Sequence, residues 1–167
     1  MKYKYCPMCG KELEEKYSWD EGGVPYCSYD DAMFFDTPKP CIMVGVIKED
    51  EILLLKQSYI YKNSKVLLCG YIGNNEKAED TVLREVKEES GIEIKNLIFL
   101  GTDYVENKDL LMITFMAEYE SGELVKSDEV EELGWVKLND ALSQMEEDVI
   151  GKRIVEKIIN KKKTPNM

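Results

Sequence analysis

The chain has no histidine. That absence removes histidine-based catalytic triads and histidine-ligated metal centres. Acid–base work is left to carboxylates, Lys, Tyr, Cys or water on a metal ion. Long apolar runs are also missing. "IMVGVI" and "ILLL" are among the longest, far short of the roughly 20 residues that span a bilayer. The opening "MKYKYCPMCG" has no apolar h-region, so no signal peptide is expected and a cytoplasmic location is the default. Positive charge is scarce: 22 Lys and Arg stand against 33 Asp and Glu, a net charge of −11. The one basic cluster, Lys152 to Lys163, reads as a solvated helix face with a frayed end. Extended nucleic acid, which calls for a basic face, is therefore not expected as a partner, nor is a membrane. No internal repeat or low-complexity tract is present.

What remains is an ordinary soluble composition, 44% hydrophobic over 167 residues, enough for one well-cored domain and a small appendage. Residues 1–35 are short of aliphatic side chains and hold three of the cysteines, so they read as a small ribbon too thin to fold unaided. "DTPKP", residues 36–40, reads as a stiff linker. From residue 41 to 167 the pattern is richer. "CIMVGVI" and "EILLLKQ" around "KED" read as a hairpin, and "VLLCGYI" as a third strand. "EKAEDTVLREVKEES" reads as a helix stopped by Gly91. "IEIKNLIFLGTDY" and "LLMITFMAEYES" are two further strands and "LGWVKL" a short one. "NDALSQM" opens a helix with Asn139 or Asp140 as its cap. Ile150, Ile154, Val155, Ile158 and Ile159 keep helical spacing, which predicts a terminal helix on the core. Strands and helices mix without a βαβ rhythm, so the class is α+β with a mixed sheet.

Five cysteines with a CxxC point to metal rather than disulfides. Cys41 and Cys69 lie in apolar runs and read as buried small hydrophobes. Cys6-x₂-Cys9, seventeen residues, then Cys27-x₂-Asp30 has zinc-ribbon spacing. Asp30 stands where a fourth cysteine is expected. Aspartate can bind zinc, so the expected set is Cys6, Cys9, Cys27 and Asp30, or Asp31 in its place. The alternative is a ribbon that has lost its metal.

Glu85, Glu88 and Glu89 crowd one helical face at i, i+3 and i+4, where like charges repel. Ala78, Val82, Leu83 and Val86 make an adjoining apolar face. A hard divalent cation, Mg²⁺ or Mn²⁺, would reverse the sign of that repulsion. Read in full, the stretch is Gly70, five residues, Glu76, seven residues, Arg84-Glu85-Val86, one residue, Glu88-Glu89, one residue, Gly91-Ile92. It matches every fixed position of the Nudix box, and the chain resembles the Nudix hydrolases. That resemblance implies an α/β/α sandwich and hydrolysis of a nucleoside diphosphate linked to another moiety. It implies Glu85 and Glu89 as metal ligands, Glu88 as a ligand or base, and a backbone carbonyl of Cys69 or Gly70 completing the shell. Arg84 and Glu76 are expected to orient loop and helix through an ion pair.

A zinc ribbon directly before such a domain resembles the NADH pyrophosphatase branch of this family, from Cys6 to about Trp135. "PCIMVGVI", "REVKEESGI" and "EVEELGW" carry the likeness. It implies Glu129 as a further metal ligand or base outside the box. It implies Phe35 as an aromatic that stacks on a base, although Phe34 and Phe35 serve equally as ribbon core. The branch has an extra N-terminal domain, whereas this sequence starts at the ribbon. It also has a Ser-Gln-Pro-Trp-Pro-Phe-Pro segment, where this chain reads "GTDYVENKD", Gly101 to Asp109. Tyr104 is the aromatic left there, and is grouped with Phe35 as substrate-binding. The expected reaction is metal-dependent hydrolysis of a dinucleotide pyrophosphate, NADH or NAD⁺ first. ADP-ribose or another nucleoside-diphosphate compound is the enzymatic alternative, and a nucleotide-sensing adaptor the non-enzymatic one. The partner expected is a nucleotide; a homodimer is left open.

Overall fold

A computed structural model describes residues 3–57 and 59–163. The chain divides into two compact units, Met1–Pro38 and Lys39–Met167. The first is a three-stranded antiparallel sheet of β1 (Glu14–Ser18), β2 (Gly22–Cys27) and β3 (Ala32–Met33). Ahead of it Cys6 starts a tight turn, with Gly10 N–H on Cys6 O at 2.8 Å and Cys6 N–H on Lys11 O at 2.7 Å. Gly10 sits at φ 74°, a backbone setting that disfavours a side chain.

The second unit carries β4 (Lys39–Lys48), β5 (Glu51–Lys56), β6 (Leu68–Tyr71), α1 (Ala78–Ser90), β7 (Glu93–Val105), β8 (Leu110–Ser121), β9 (Glu132–Lys137), α2 (Leu138–Ala141) and α3 (Val149–Lys163). The sheet runs β7-β8-β4-β5-β9, with β6 paired to β4. Among the described residues β4 and β8 pair in parallel and the other pairs are antiparallel, so the sheet is mixed. Alternation along the strands sorts the core into two layers. Ile42, Val44, Val46, Leu53 and Leu55 join Val82 and Val86 of α1. Met43, Ile47, Ile52 and Leu54 join Ile154, Val155 and Ile158 of α3. This is an α/β/α sandwich, the Nudix-like arrangement the sequence pointed to.

The structure refines several local expectations. Lys39 and Pro40, grouped with the linker by composition, already pair with Leu110 and Leu111 in β4. The short helix α2 begins at Leu138, whose N–H is held by Asp50 O at 2.9 Å. Asn139 and Asp140 therefore lie inside its first turn, and its N-cap, Lys137, makes no side-chain cap bond. Leu83 is 48% exposed. The buried stripe of α1 follows Val82 and Val86, four apart, and one step along the helix turns Leu83 away from the sheet. Gly91 ends α1 as expected, at φ 76° with its N–H on Lys87 O.

Candidate active site

The burial stripe of α1 sets three glutamates at three depths. Glu89 is 7% exposed. The Glu85 side chain is 14% exposed, that of Glu88 58%. Arg84 collects the neighbours. Its Nε and Nη2 donate to the two carboxylate oxygens of Glu76 at 2.7 and 3.0 Å. Its Nη1 donates to Glu85 Oε1 at 2.8 Å and Glu88 Oε2 at 3.0 Å, and Nη2 also reaches Tyr71 O. Glu76 accepts the Gly73 N–H at 2.9 Å as well, which fixes the loop leading into α1. Arg84 chiefly, then that N–H, pull the Glu76 carboxyl down to about 2. The expected orienting ion pair is present, and Arg84 extends it to two further acids of the box.

Glu89 has the opposite electrostatics. Gln57, at the end of β5 and itself buried, donates Nε2–H to Glu89 Oε1 at 3.2 Å. Oε2 is buried with no hydrogen-bond partner among the described residues. Burial first, and then the nearby Glu85, push Glu89 up to about 7; Glu129 and Glu88 add to the rise and Gln57 opposes it. Glu85 is also raised, mainly by burial, against the pull of Arg84. Gly70 in β6 lies so close that a Cβ there would overlap the Glu85 carboxyl. Its missing side chain lets backbone approach the acid.

These groups open onto one cavity of about 610 Å³, a size suited to a nucleotide-like ligand. Glu85, Glu89, Arg84, Cys69 and Gly70 form part of its wall, and Glu129 another part. The loop carrying Glu129 is held on both sides: Val130 is buried in the α1 layer and Glu131 N–H bonds Lys56 O at 2.9 Å. So Glu129, some forty residues from the box, is brought to it. Among the lining residues the acids are Glu85, Glu89, Glu129 and Asp148, and the bases Arg84 and Lys108. With Arg84 already bonded to Glu76, the wall holds excess negative charge and an oxygen donor set.

The Nudix domain family matches residues 37–157. The chain belongs to the Nudix family. Relatives named NAD-capped RNA hydrolase NudC, from Escherichia coli strains, are 33% identical over 156 residues, covering 92% of this chain and 59% of theirs. The chain thus spans about three-fifths of their length. A Nudix hydrolase structure from Nitrosomonas europaea superposes with a TM-score of 0.72 at 20% identity, covering 95% of this chain and 93% of that one. An ADP-ribose pyrophosphatase structure from Streptococcus suis gives 0.60 at 19% identity, covering 78% and 96%. These two likenesses speak for the Nudix fold alone.

The box fits a hard divalent cation. Carboxylates are its preferred ligands, and Glu89 Oε2 is a buried acceptor with no hydrogen-bond donor among the described residues. Glu88 differs from its neighbours: it is bonded to Arg84 and does not line the cavity. Tyr104 is exposed with its hydroxyl donating to Asp109 Oδ1, and it does not line the cavity; Val105, the next residue of β7, does. Phe35 belongs to the first unit and is 47% exposed. Cys41 is buried and Cys69 only half-buried, and both are cavity wall. Burial pushes the Cys69 thiol up to about 12, which keeps it a neutral wall residue. Sequence reading missed Gln57, Tyr59, Tyr61 and Asp148. Asp148 alone left a signal, an acid three residues before a glycine at a helix start.

In the ribbon, one ligand atom each from Cys6, Cys9, Cys27 and Asp30 lies within 4.8 Å of all the others. Asp30 Oδ2 is 3.1 Å from Cys6 Sγ and 3.2 Å from Cys27 Sγ. Backbone N–H groups of Met8 and Asp30 point at the sulfurs of Cys6 and Cys27 at 3.4 Å. The set forms a metal-binding cluster. Asp31 is instead turned to Tyr26, whose hydroxyl donates to it at 2.7 Å.

Proposed function

We propose that this chain hydrolyses the pyrophosphate bond of a dinucleotide or nucleoside diphosphate derivative with Mg²⁺ or Mn²⁺, and that NADH or NAD⁺ is its substrate. The observation that carries the reading is Glu89 Oε2, buried and unpartnered beside Glu85 in a cavity whose excess charge is negative. Glu85 and Glu89 hold the cation, with a backbone carbonyl at Cys69 or Gly70. When bound, such a cation neutralises phosphate oxygens and acidifies a water. The chain's own residues do the rest. Arg84 keeps Glu85 and Glu88 apart from mutual repulsion and fixes the loop. Lys108 supplies positive charge to the cavity. Between the two acids available as proton acceptor, Glu129 lines the cavity whereas Glu88 is occupied with Arg84, so Glu129 takes the proton. Positioning and charge neutralisation carry most of phosphoryl chemistry, which is why the absence of histidine is tolerated.

The NAD-related reading is supported by the ribbon preceding the Nudix domain and by the NudC relatives, which are named for hydrolysis of NAD-capped RNA. In the ribbon, zinc on Cys6, Cys9, Cys27 and Asp30 is the structural metal. A second reading, ADP-ribose or another ADP-linked compound, is favoured by one observation. Gly101–Asp109 carries Asp103, Glu106 and Asp109 rather than a rigid aromatic-proline wall. The deciding measurement is kcat/KM for NADH, NAD⁺, ADP-ribose, diadenosine polyphosphates, nucleotide sugars and (d)NTPs with each metal. Hydrolysis of NADH to AMP and reduced nicotinamide mononucleotide is expected. A better rate on (d)NTPs with none on ADP-containing compounds would overturn it, and binding of nucleotide without turnover would return the chain to an adaptor.

A further inference from the structure

Glu129 stands on a segment with no strand or helix of its own, between β8 and β9. Such a segment fixes a side chain only where it is tied down. Its first half is tied to the box helix. Val125 N–H donates to the carbonyl of Ser90, the last residue of α1, at 2.9 Å. The chains touch there: Glu123 O would lie 3.0 Å, and Val125 Cβ 3.1 Å, from a Cβ at Gly91. Its second half is tied to β5, through Glu131 N–H on Lys56 O at 2.9 Å. Lys56 adjoins Gln57, which holds Glu89.

Between those ties the backbone makes a β-turn. Val130 N–H donates to Ser127 O at 3.2 Å, so Asp128 and Glu129 are the two central residues. The Val130 side chain is buried. Across the turn, Lys126 Nζ donates to Val130 O at 3.0 Å. Lys126 therefore grips the chain one residue after Glu129. Composition points elsewhere. Residues 120–132 hold six acids, Glu120, Glu123, Asp128, Glu129, Glu131 and Glu132, and one base, Lys126. Opposite charges attract, so a lone lysine there is set to pair with one of them. Its ammonium instead takes the carbonyl, and forms no ion pair among the described residues. Glu129 makes no hydrogen bond or ion pair among them either, and it lines the cavity. A lysine bonded to the carbonyl leaves the Glu129 carboxylate open to a proton; a lysine bonded to Glu129 would not.

We propose that Lys126 is a positioning residue for Glu129: its hydrogen bond to Val130 O closes the turn that presents the Glu129 carboxylate to the cavity. This rests on the reading of Glu129 as the proton acceptor. A base must lie within hydrogen-bond reach of the proton it takes, and a displacement of about 1 Å can cost ~10²-fold. The Ser127–Val130 backbone bond survives loss of the lysine, so the turn loosens without unravelling and only part of that factor is expected.

The test is a double-mutant cycle, with NADH and ADP-ribose as substrates at saturating Mg²⁺. Lys126→Met keeps the aliphatic stem and removes the donor; Lys126→Arg restores a donor of the same charge. Lys126→Met should lower kcat about five- to tenfold with KM and Tm nearly unchanged, and Lys126→Arg should recover most of the loss. Glu129→Gln alone should cost ~10²-fold in kcat. In that background Lys126→Met should cost no more than about twofold, because no carboxylate is left to place. A lysine that only supported the fold would cost the same in both backgrounds, and that result overturns the proposal. So does a Lys126→Met enzyme that turns over like wild type. If Glu129→Gln is slow in that case, Lys126 fails alone and Glu129 keeps its role. If Glu129→Gln itself turns over normally, the proton-acceptor reading falls and the proposal with it, while hydrolysis of the nucleotide by the wild type still stands.

Discussion

Among the described residues of the ribbon, the buried apolar side chains are Cys6, Val24 and Cys27. In the unit that follows, two layers of fourteen buried residues each sandwich the sheet. Two of those three ribbon residues belong to the Cys6, Cys9, Cys27 and Asp30 cluster that could hold a metal ion, so core and candidate metal site coincide there. In the Nudix domain the core extends far beyond the site, although Cys41, Met43, Val66 and Met112 belong to both. Its rigidity lets α1 hold Glu85 and Glu89 inward against their mutual repulsion. The same kind of assembly, several acceptors within a few ångströms, is thus a source of stability in one region and a burden carried by the other. The two regions should respond in opposite ways to loss of a ligand.

The largest effect is expected at Glu89. Glu89→Gln keeps an oxygen for Gln57 and removes the charge. Turnover should fall at least ~10²-fold, the scale of losing a metal-binding or proton-transfer group, with the fold retained. Near-normal kcat at saturating Mg²⁺ or Mn²⁺ would remove Glu89 from the site.

The ribbon should behave the other way. Purified without chelator, the protein should carry about one zinc per chain. Stripping it should cost residues 3–38 their amide protection while β4, β8 and α1 keep theirs. Asp30→Cys should retain zinc and Asp30→Ala should bind it more weakly. A ribbon equally protected with and without metal would break the contrast drawn above.

Gly70→Ala should act more mildly. The added methyl would displace the Glu85 carboxyl, and that flexible side chain can yield. We expect metal activation to shift to about tenfold higher Mg²⁺, with kcat partly recovered at saturation. An unshifted metal dependence would show that Gly70 is close to Glu85 without serving it.

These sites were unequally legible in the sequence. Glu85, Glu88 and Glu89 could be placed on one face by helical period alone, since each lies within a single element. How deep each sits could not, because depth depends on where α1 meets the sheet; Glu88 and Leu83 turn outward for that reason. Glu129 was reachable only through resemblance, as nothing in "SDEVEELGW" fixes the loop that Val130 and Lys56 hold down. Gln57 and Asp148 left little or no trace, because they come from separate segments that meet the box glutamates only in the fold. The strands were readable from alternation, but the parallel pairing of β4 with β8 joins residues some seventy apart.

The smallest effect concerns stability without divalent metal. Glu89 is held up to about 7 in the fold from an ordinary value of 4.5. An acid whose folded pKa is raised is protonated in both states at low pH and carries no penalty there. As pH climbs past 4.5 the unfolded chain ionises first, so stability should fall between about pH 4.5 and 7 and then level off. Glu85 and Asp148 shift in the same direction, so the wild-type profile alone is ambiguous. The difference between wild type and Glu89→Gln isolates the one group. That variant should be more stable at pH 8 by roughly 3 kcal/mol, several degrees in Tm, and the gap should close near pH 4.5. Saturating Mg²⁺ should narrow it from the other side, by stabilising only the chain that keeps its carboxylate. A variant no more stable than wild type at pH 8 would mean that Gln57 and relaxation of the wall already relieve Glu89, and that the Nudix domain carries no burden at its site.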